Sequence, residues 1–308
     1  MKTRILPVSI FLLRIRRAML ALAMMSLSQG LLPGMAHAEN AARCERPDRL
    51  KFSFVPQSNG RNDAELLAPL LEELEEALRM PVDVVQPSSY GTAIEGLLAG
   101  MVHVARLGPA SYVSAHRSDP AVTPFATVMY RDELTGQESA SYNSLLITRQ
   151  KGPERSIEAL RGKSLVLVDP DSTSGALIPR HVFSRQLGSS LERYFGRLGY
   201  TGTQESSVLA VLNREADAAF VGSSNLAATI ANGKVRRDDI RILWKSEPIP
   251  FDPFVYRGQL CADIKRKIRN VFLQSKSSRH TALLTNLRAV RLVPARDEDY
   301  RIIRDLQR

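Results

Sequence analysis

The chain has 308 residues, with 42 Lys and Arg against 32 Asp and Glu and a formal charge of +10. That length suits one large or two medium domains. Five of the 42 basic residues and no acid fall in residues 1–38, so the remainder carries 37 − 32, or +5; this mild excess, without interleaved arginines and aromatics, argues against a nucleic-acid partner and suits a small anionic ligand.

Residues 1–38 hold Lys2, Arg4, Arg14, Arg16 and Arg17, then an apolar run from Met19 through Leu32, and end in Ala36-His37-Ala38. This is the pattern of a signal peptide, with cleavage predicted after Ala38. Ser26, Gln29, Gly30 and Pro33 interrupt the run, which stays short of the ~20 apolar residues a span requires. Export as a soluble protein to a periplasm is expected. The two cysteines, Cys44 and Cys261, read as a possible disulfide in an exported chain, with two free thiols as the alternative. Ala42-Arg43 before Cys44 does not fit a lipid-attachment site.

From Leu50 the sequence alternates strand and helix patterns. Leu50–Val55 reads as a strand ended by Pro56, and Ala64–Leu78, with leucines at 66, 67, 70, 71, 74 and 78, as an amphipathic helix. Val82–Val85 is a strand, Tyr90–Leu98 a helix, Val102–Leu107 a strand, and Ala110 to about His116 a helix. Residues 131–141 look like a polar loop, followed by a strand over Ser144–Arg149 and a short helix over Ile157–Leu160. Later come Ser207–Glu215 as helix, Ala216–Val221 as strand, Leu226–Ala231 as helix, Arg241–Trp244 as strand, a Pro-rich connection at Pro248–Pro253, and helices near Cys261–Phe272 and Thr281–Leu287. Such alternation predicts an α/β fold with mostly parallel sheets. A weak internal echo, around Gly100–His103 and again around Glu215–Asp217, suggests two lobes. The expected division is 39–142 with 253–308 as lobe 1 and 143–252 as lobe 2, with the ligand between them at the carboxyl ends of strands.

The stretch that organises this pattern is Asp169-Pro170-Asp171-Ser172-Thr173-Ser174-Gly175. It follows the apolar run Ser164–Val168, read as a buried parallel strand, and precedes a helix expected over Ala176–Leu187. A helix start leaves backbone N–H groups unpaired and carries partial positive charge, so it can hold an oxyanion. Ser172, Thr173 and Ser174 add hydroxyl donors, and Gly175 permits a close approach to the backbone. An ordinary N-cap is the plainer alternative, but a cap needs only one hydroxyl.

Gly108-Pro109-Ala110-Ser111-Tyr112, Ser89-Tyr90 before Ile94-Glu95-Gly96-Leu97, Leu160-Arg161-Gly162-Lys163 and the Asp169–Gly175 turn occur in the chain as one set. The set resembles the periplasmic substrate-binding proteins of phosphonate, phosphite and phosphate ABC importers (the PhnD type) over roughly Leu50 to Ile264. The resemblance implies a two-lobed type II periplasmic binding fold and delivery of a small oxyanion to a membrane permease. It implies that Ser172, Thr173 and Ser174 grip the anion and that Tyr90 and Tyr142 face it from the other lobe and the hinge. Pro56 and Gln57, at the first strand's end, are further candidates to line the cleft, and Tyr112 reads as structural. The family often has a histidine where this chain reads Gly202-Thr203-Gln204-Glu205, so Gln204 would donate without becoming a cation. Family members that hold an amine use carboxylates. Asp252 could supply one, but Gly222-Ser223-Ser224-Asn225 offers no second, which favours phosphate, phosphite or a neutral-tailed phosphonate. Arg106 reads as a surface residue, with a turn into the cleft as its alternative.

No catalytic or metal signature appears. His37, His103, His116, His181 and His280 lack metal-ligand spacing, Ser172 and Ser174 lack Gly-x-Ser-x-Gly, and there is no phosphate-binding Gly-x-x-x-x-Gly-Lys-Ser/Thr loop. A non-enzymatic, cofactor-free, metal-free monomer is expected. A ligand-sensing module acting on a membrane sensor, or a binding protein for another anion such as a sulfonate, is the alternative.

Overall fold

The computed structural model describes residues 44–58, 62–131 and 137–308. The predicted signal segment and its cleavage point after Ala38 lie outside them, as do residues 132–136 of the predicted polar loop. The first sheet opens with β1 (Leu50–Phe54), and helix α1 (Asn62–Leu78) leads to β2 (Val82–Val85). Helix α2 (Tyr90–Leu98), β3 (Val104–Arg106), α3 (Pro109–Ser118), β4 (Thr123–Arg131) and β5 (Glu138–Ser139) follow. After β6 (Ser141–Tyr142) the chain enters a second sheet through β7 (Ser144–Arg149) and β8 (Ser164–Leu167).

Two π-helical turns, Thr173–Leu177 and Pro179–Phe183, run into the short helices α4 (Ser184–Leu187) and α5 (Leu191–Tyr194). Next come β9 (Arg197–Tyr200), α6 (Gln204–Leu212), β10 (Ala218–Gly222), α7 (Ser223–Ala231) and β11 (Ile240–Lys245). Strand β12 (Ile249–Pro250) pairs back on β6 and leads to β13 (Phe254–Tyr256), which rejoins the first sheet. Helices α8 (Ala262–Gln274) and α9 (Ser278–Leu287), β14 (Arg291–Val293) and α10 (Arg301–Leu306) complete the chain.

Both sheets are mixed rather than mostly parallel. The first runs β14-β4-β13-β3-β1-β2, with β5 on the side of β4. Only β1–β2 and β1–β3 are parallel there; β13 lies antiparallel to both β3 and β4. The second runs β11-β7-β10-β8-β9, parallel across β10-β8-β9 and antiparallel at β7. The reason is topological: the antiparallel strands flank the two points where the chain leaves one sheet and returns. Strands β4, β9, β13 and β14 carry no clean alternation, so local pattern did not announce them.

The core follows the hydrophobic periodicity. Leu67, Leu70, Leu74 and Leu78 lie on one face of α1 and pack into a cluster with Leu50, Phe52, Phe125, Phe254 and Phe272; side chains three and four apart share one helix face. Leu66, off that face, is exposed. Cys44 and Cys261 form a disulfide with Cα atoms 4.8 Å apart, which resolves the open choice between a bridge and free thiols.

The helix expected from Ala176 starts three residues earlier, and Pro179 accounts for its π character. The Ser172 carbonyl accepts from the N–H groups of both Ala176 and Leu177, at 3.1 and 2.9 Å. Pro179 has no N–H to offer the Gly175 carbonyl four residues back. That carbonyl instead accepts from Val168 N–H at 3.2 Å, tying the turn to the end of β8. A β-carbon on Gly175 would lie 2.4 Å from the Val168 side chain. Gly175→Ala is therefore expected to destabilise the fold by about 1–3 kcal/mol through overpacking. In a denaturation cycle with Val168→Ala the double variant should lose less than the two single losses combined; simple additivity would refute this.

Candidate functional site

The site is built where helix starts meet. At the end of β8, Asp169 Oδ1 accepts from Asp171 N–H at 2.9 Å and shapes the turn. Ser172 caps the first π turn, its Oγ accepting from Gly175 N–H at 3.2 Å. Ser89 caps α2 and sets Tyr90 at its first position. Gly108 precedes Pro109 at the start of α3, and the next N–H, that of Ala110, donates to Thr173 Oγ1 at 2.8 Å. Thr203 caps α6, so this helix begins at Gln204 rather than at the predicted Ser207. Gly222, the N-cap of α7, donates its N–H to Gln204 Oε1 at 2.9 Å. Gln204 Nε2 in turn lies 3.4 Å from Ser172 Oγ and 3.3 Å from Ser174 Oγ.

These elements enclose a void of about 10 Å³, room for about one water. Ser172, Thr173, Gln204, Tyr90, Tyr142, Gln57 and Asp252 all line it, so seven of the ten residues singled out from sequence come together. Ser174 stands one step behind, its carbonyl accepting from Ser144 Oγ at 2.6 Å. Gly175 and Pro56 do not line the void. The absence of a side chain on Gly175 serves packing against Val168. Gly108 and Asn225 also line the void and were not among the ten. Both sit at strand-to-helix turns, so extending the argument made for Ser172 to every such turn would have found them. Arg106 is not a surface residue: its side chain is 17% exposed, lies 3.7 Å from Asp252 and crosses the Phe254 ring.

The electrostatics favour neutral donors over phenolates. Burial, then the Asp252 charge, holds the Tyr90 phenol above its ordinary pKa despite hydrogen bonds with Gln204 and Ser172. The same two causes hold Tyr142 well above its own. Both hydroxyls thus keep their protons at neutral pH. Burial also raises the Asp252 carboxyl, although Arg106 pulls it down. A carboxyl with a raised folded pKa stabilises the fold fully below its unfolded value, near 3.9. That contribution is lost as pH rises through the folded value. The melting temperature of Asp252→Asn, taken relative to the parent protein, should accordingly increase from pH about 3 toward neutrality. Curves that stay parallel over that range would contradict the assignment.

A two-lobed α/β architecture with helix starts, hydroxyls and protonated phenols turned on one void is that of a binding protein of the type II periplasmic fold. The chain matches over residues 52–300 the family described as the periplasmic substrate-binding protein of the phosphonate ABC transporter, and it belongs to that family. It is 30% identical over 272 residues to the phosphonates-binding periplasmic protein of Escherichia coli strain K12, covering 86% of this chain and 75% of that one. It is 27% identical over 271 residues to the phosphate-import protein PhnD of Mycolicibacterium smegmatis, covering 82% and 83%. Among solved structures it resembles PhnD1 from Prochlorococcus marinus in complex with methylphosphonate, with a TM-score of 0.74, 19% identity, and 85% and 97% coverage. The chain is thus a solute-binding component of the phosphonate-type ABC importers. No helix among the described residues is long and apolar enough to cross a membrane.

Proposed function

We propose that this protein captures a phosphonate, phosphite or phosphate-type oxyanion between two lobes, residues 39–142 with 253–308 and residues 143–252, and hands it unchanged to an inner-membrane permease. The observation that carries the reading is the convergence of five helix starts, at Tyr90, Pro109, Thr173, Gln204 and Ser223, around one void. Preset N–H and O–H donors replace the hydration of an anion with little reorganisation. Ser172, Thr173, Gln204, Tyr90 and Tyr142 donate; Ser174 supports Gln204, and Gln57 and Asn225 close the entrance through a 2.6 Å hydrogen bond.

A void with room for about one water does not admit a five-atom tetrahedral anion, so loading requires the lobes to part. The bonds that would break on opening include those from Tyr90 N–H to Asp169, from Ala110 N–H to Thr173, from Ser111 Oγ to the Asp171 carbonyl, from Asn225 to Gln57 and from Glu205 N–H to the Gln57 carbonyl. Closure then buries the ligand by hinge bending. The protein performs no chemistry on it, needs no cofactor, acts as a monomer and reaches the periplasm through cleavage after Ala38. Methylphosphonate, bound by the Prochlorococcus protein, is the first ligand to test.

Thermal melting against phosphate, phosphite, methylphosphonate, sulfate and alkylsulfonates tests the reading. A phosphorus oxyanion at a hundredfold excess over Kd adds about 2.7 kcal/mol, a rise of roughly 5–10 °C for a protein of this size. A rise with sulfonates alone would overturn the phosphorus assignment.

A further inference from the structure

Beside the inner void lies a second cavity, of about 150 Å³. Gln57 and Asn225 line both spaces, and the hydrogen bond between them is the partition. Leu66, Leu67 and Leu287 give the outer space apolar walls. Its two acids are already engaged. Asp63 accepts from the N–H groups of Gln57 and Ser58 and from Ser58 Oγ. Glu205 holds Lys234 Nζ on both oxygens at 2.8 Å.

Among its cations, Arg106 hydrogen-bonds Tyr130 but is not saturated. Arg106 lines the same cavity, and its Nε is buried without a hydrogen-bond partner among the described residues. Its Asp252 partner stands at 3.7 Å, beyond hydrogen-bonding range. Arg288 reaches the cavity from the end of α9. A buried guanidinium N–H left unpaired is costly, and an incoming carboxylate satisfies it with a charge-assisted bond. An ammonium group in this space would meet two guanidinium groups.

We propose that the outer cavity receives the organic substituent of the ligand, and that the favoured substituent is a short alkyl chain ending in a carboxylate that pairs with Arg106. This rests on the oxyanion reading of the inner void. The ligand class is therefore a carboxyalkyl phosphonate, with the phosphonate at Ser172 and Thr173 and the chain passing between Gln57 and Asn225 along the leucine wall.

Calorimetric titration of the exported protein with methylphosphonate, 2-aminoethylphosphonate and 3-phosphonopropionate tests the proposal. 3-Phosphonopropionate should bind at least tenfold more tightly than the other two, the worth of one charge-assisted hydrogen bond. Arg106→Gln should bring the ratio of 3-phosphonopropionate to methylphosphonate affinity close to one. Ala228→Trp, which fills the outer cavity from α7, should remove the same preference while leaving methylphosphonate binding unchanged. If methylphosphonate binds but 3-phosphonopropionate binds no better, or if Ala228→Trp keeps the preference, the outer-cavity proposal is wrong while the oxyanion reading stands. If none of the three binds, this proposal fails; if phosphate and phosphite also fail to bind, the oxyanion reading fails with it.

Discussion

The double variant Ser172→Ala/Thr173→Val is expected to bind its oxyanion about 10²–10⁴-fold more weakly than the parent protein. Each hydroxyl lining the void contributes a hydrogen bond to a charged group, worth about 1.5–3 kcal/mol, and each 1.4 kcal/mol is a factor of about ten in Kd. The fold also loses stability, because both hydroxyls have structural duties. Ser172 Oγ caps the π turn, and losing a cap costs about 1 kcal/mol. Thr173 Oγ1 accepts from the buried Ala110 N–H, and leaving that group unpaired costs about 1–3 kcal/mol. Proteins of this kind hold about 5–15 kcal/mol in reserve, so the variant stays folded at 25 °C and its affinity can be measured there by calorimetry. A variant with a lowered melting temperature but an affinity within threefold of the parent would show that the hydroxyls only cap and stitch.

Removing the disulfide, as Cys44→Ala/Cys261→Ala, should lower the melting temperature by roughly 5–15 °C. The bridge joins residues 217 apart in sequence. Closing so long a loop restricts the unfolded chain strongly, for a stabilisation of about 2–5 kcal/mol, and a protein of this size gives roughly 2–4 °C per kcal/mol. The bridge also anchors the first described residues beside α8. There Glu45 N–H donates to the Gln259 carbonyl at 2.6 Å, Cys261 N–H donates to the Glu45 carbonyl, and Arg46 grips Asp263 with two bonds. Dithiothreitol should lower the parent's melting temperature toward the variant's and leave the variant unmoved. Equal melting temperatures for parent and variant would refute the estimate.

Much of the candidate site was visible in the chain because its signal is local. A buried apolar strand followed by three hydroxyls and a helix announces donors at a strand end, and Ser172 and Thr173 lie there. Tyr90 was placed by the resemblance, and the structure sets it directly after the capping Ser89. Gln204 was found by its place in the resemblance, although its helix begins three residues before the periodicity suggested, because the Thr203 cap sets the start. Arg106 was misplaced because alternation tells which face of a strand a side chain takes, but not what covers that face. Gly175 has a second reason that local pattern did not show, since a β-carbon there would meet Val168, just past the end of β8.

By itself the amino-acid sequence determined the α/β alternation, the leucine face of α1, the hydroxyl turn after β8 and the mild positive charge. Each of these depends on residues within a few positions of one another. Only the tertiary structure decided that Cys44 meets Cys261, that β13 returns antiparallel beside β3, that Gly108 and Asn225 join the void, and that Arg106 keeps an N–H unpaired among the described residues beside a second cavity. Those outcomes rest on contacts across about 65 to more than 200 residues, which packing of the whole chain sets and no local pattern encodes.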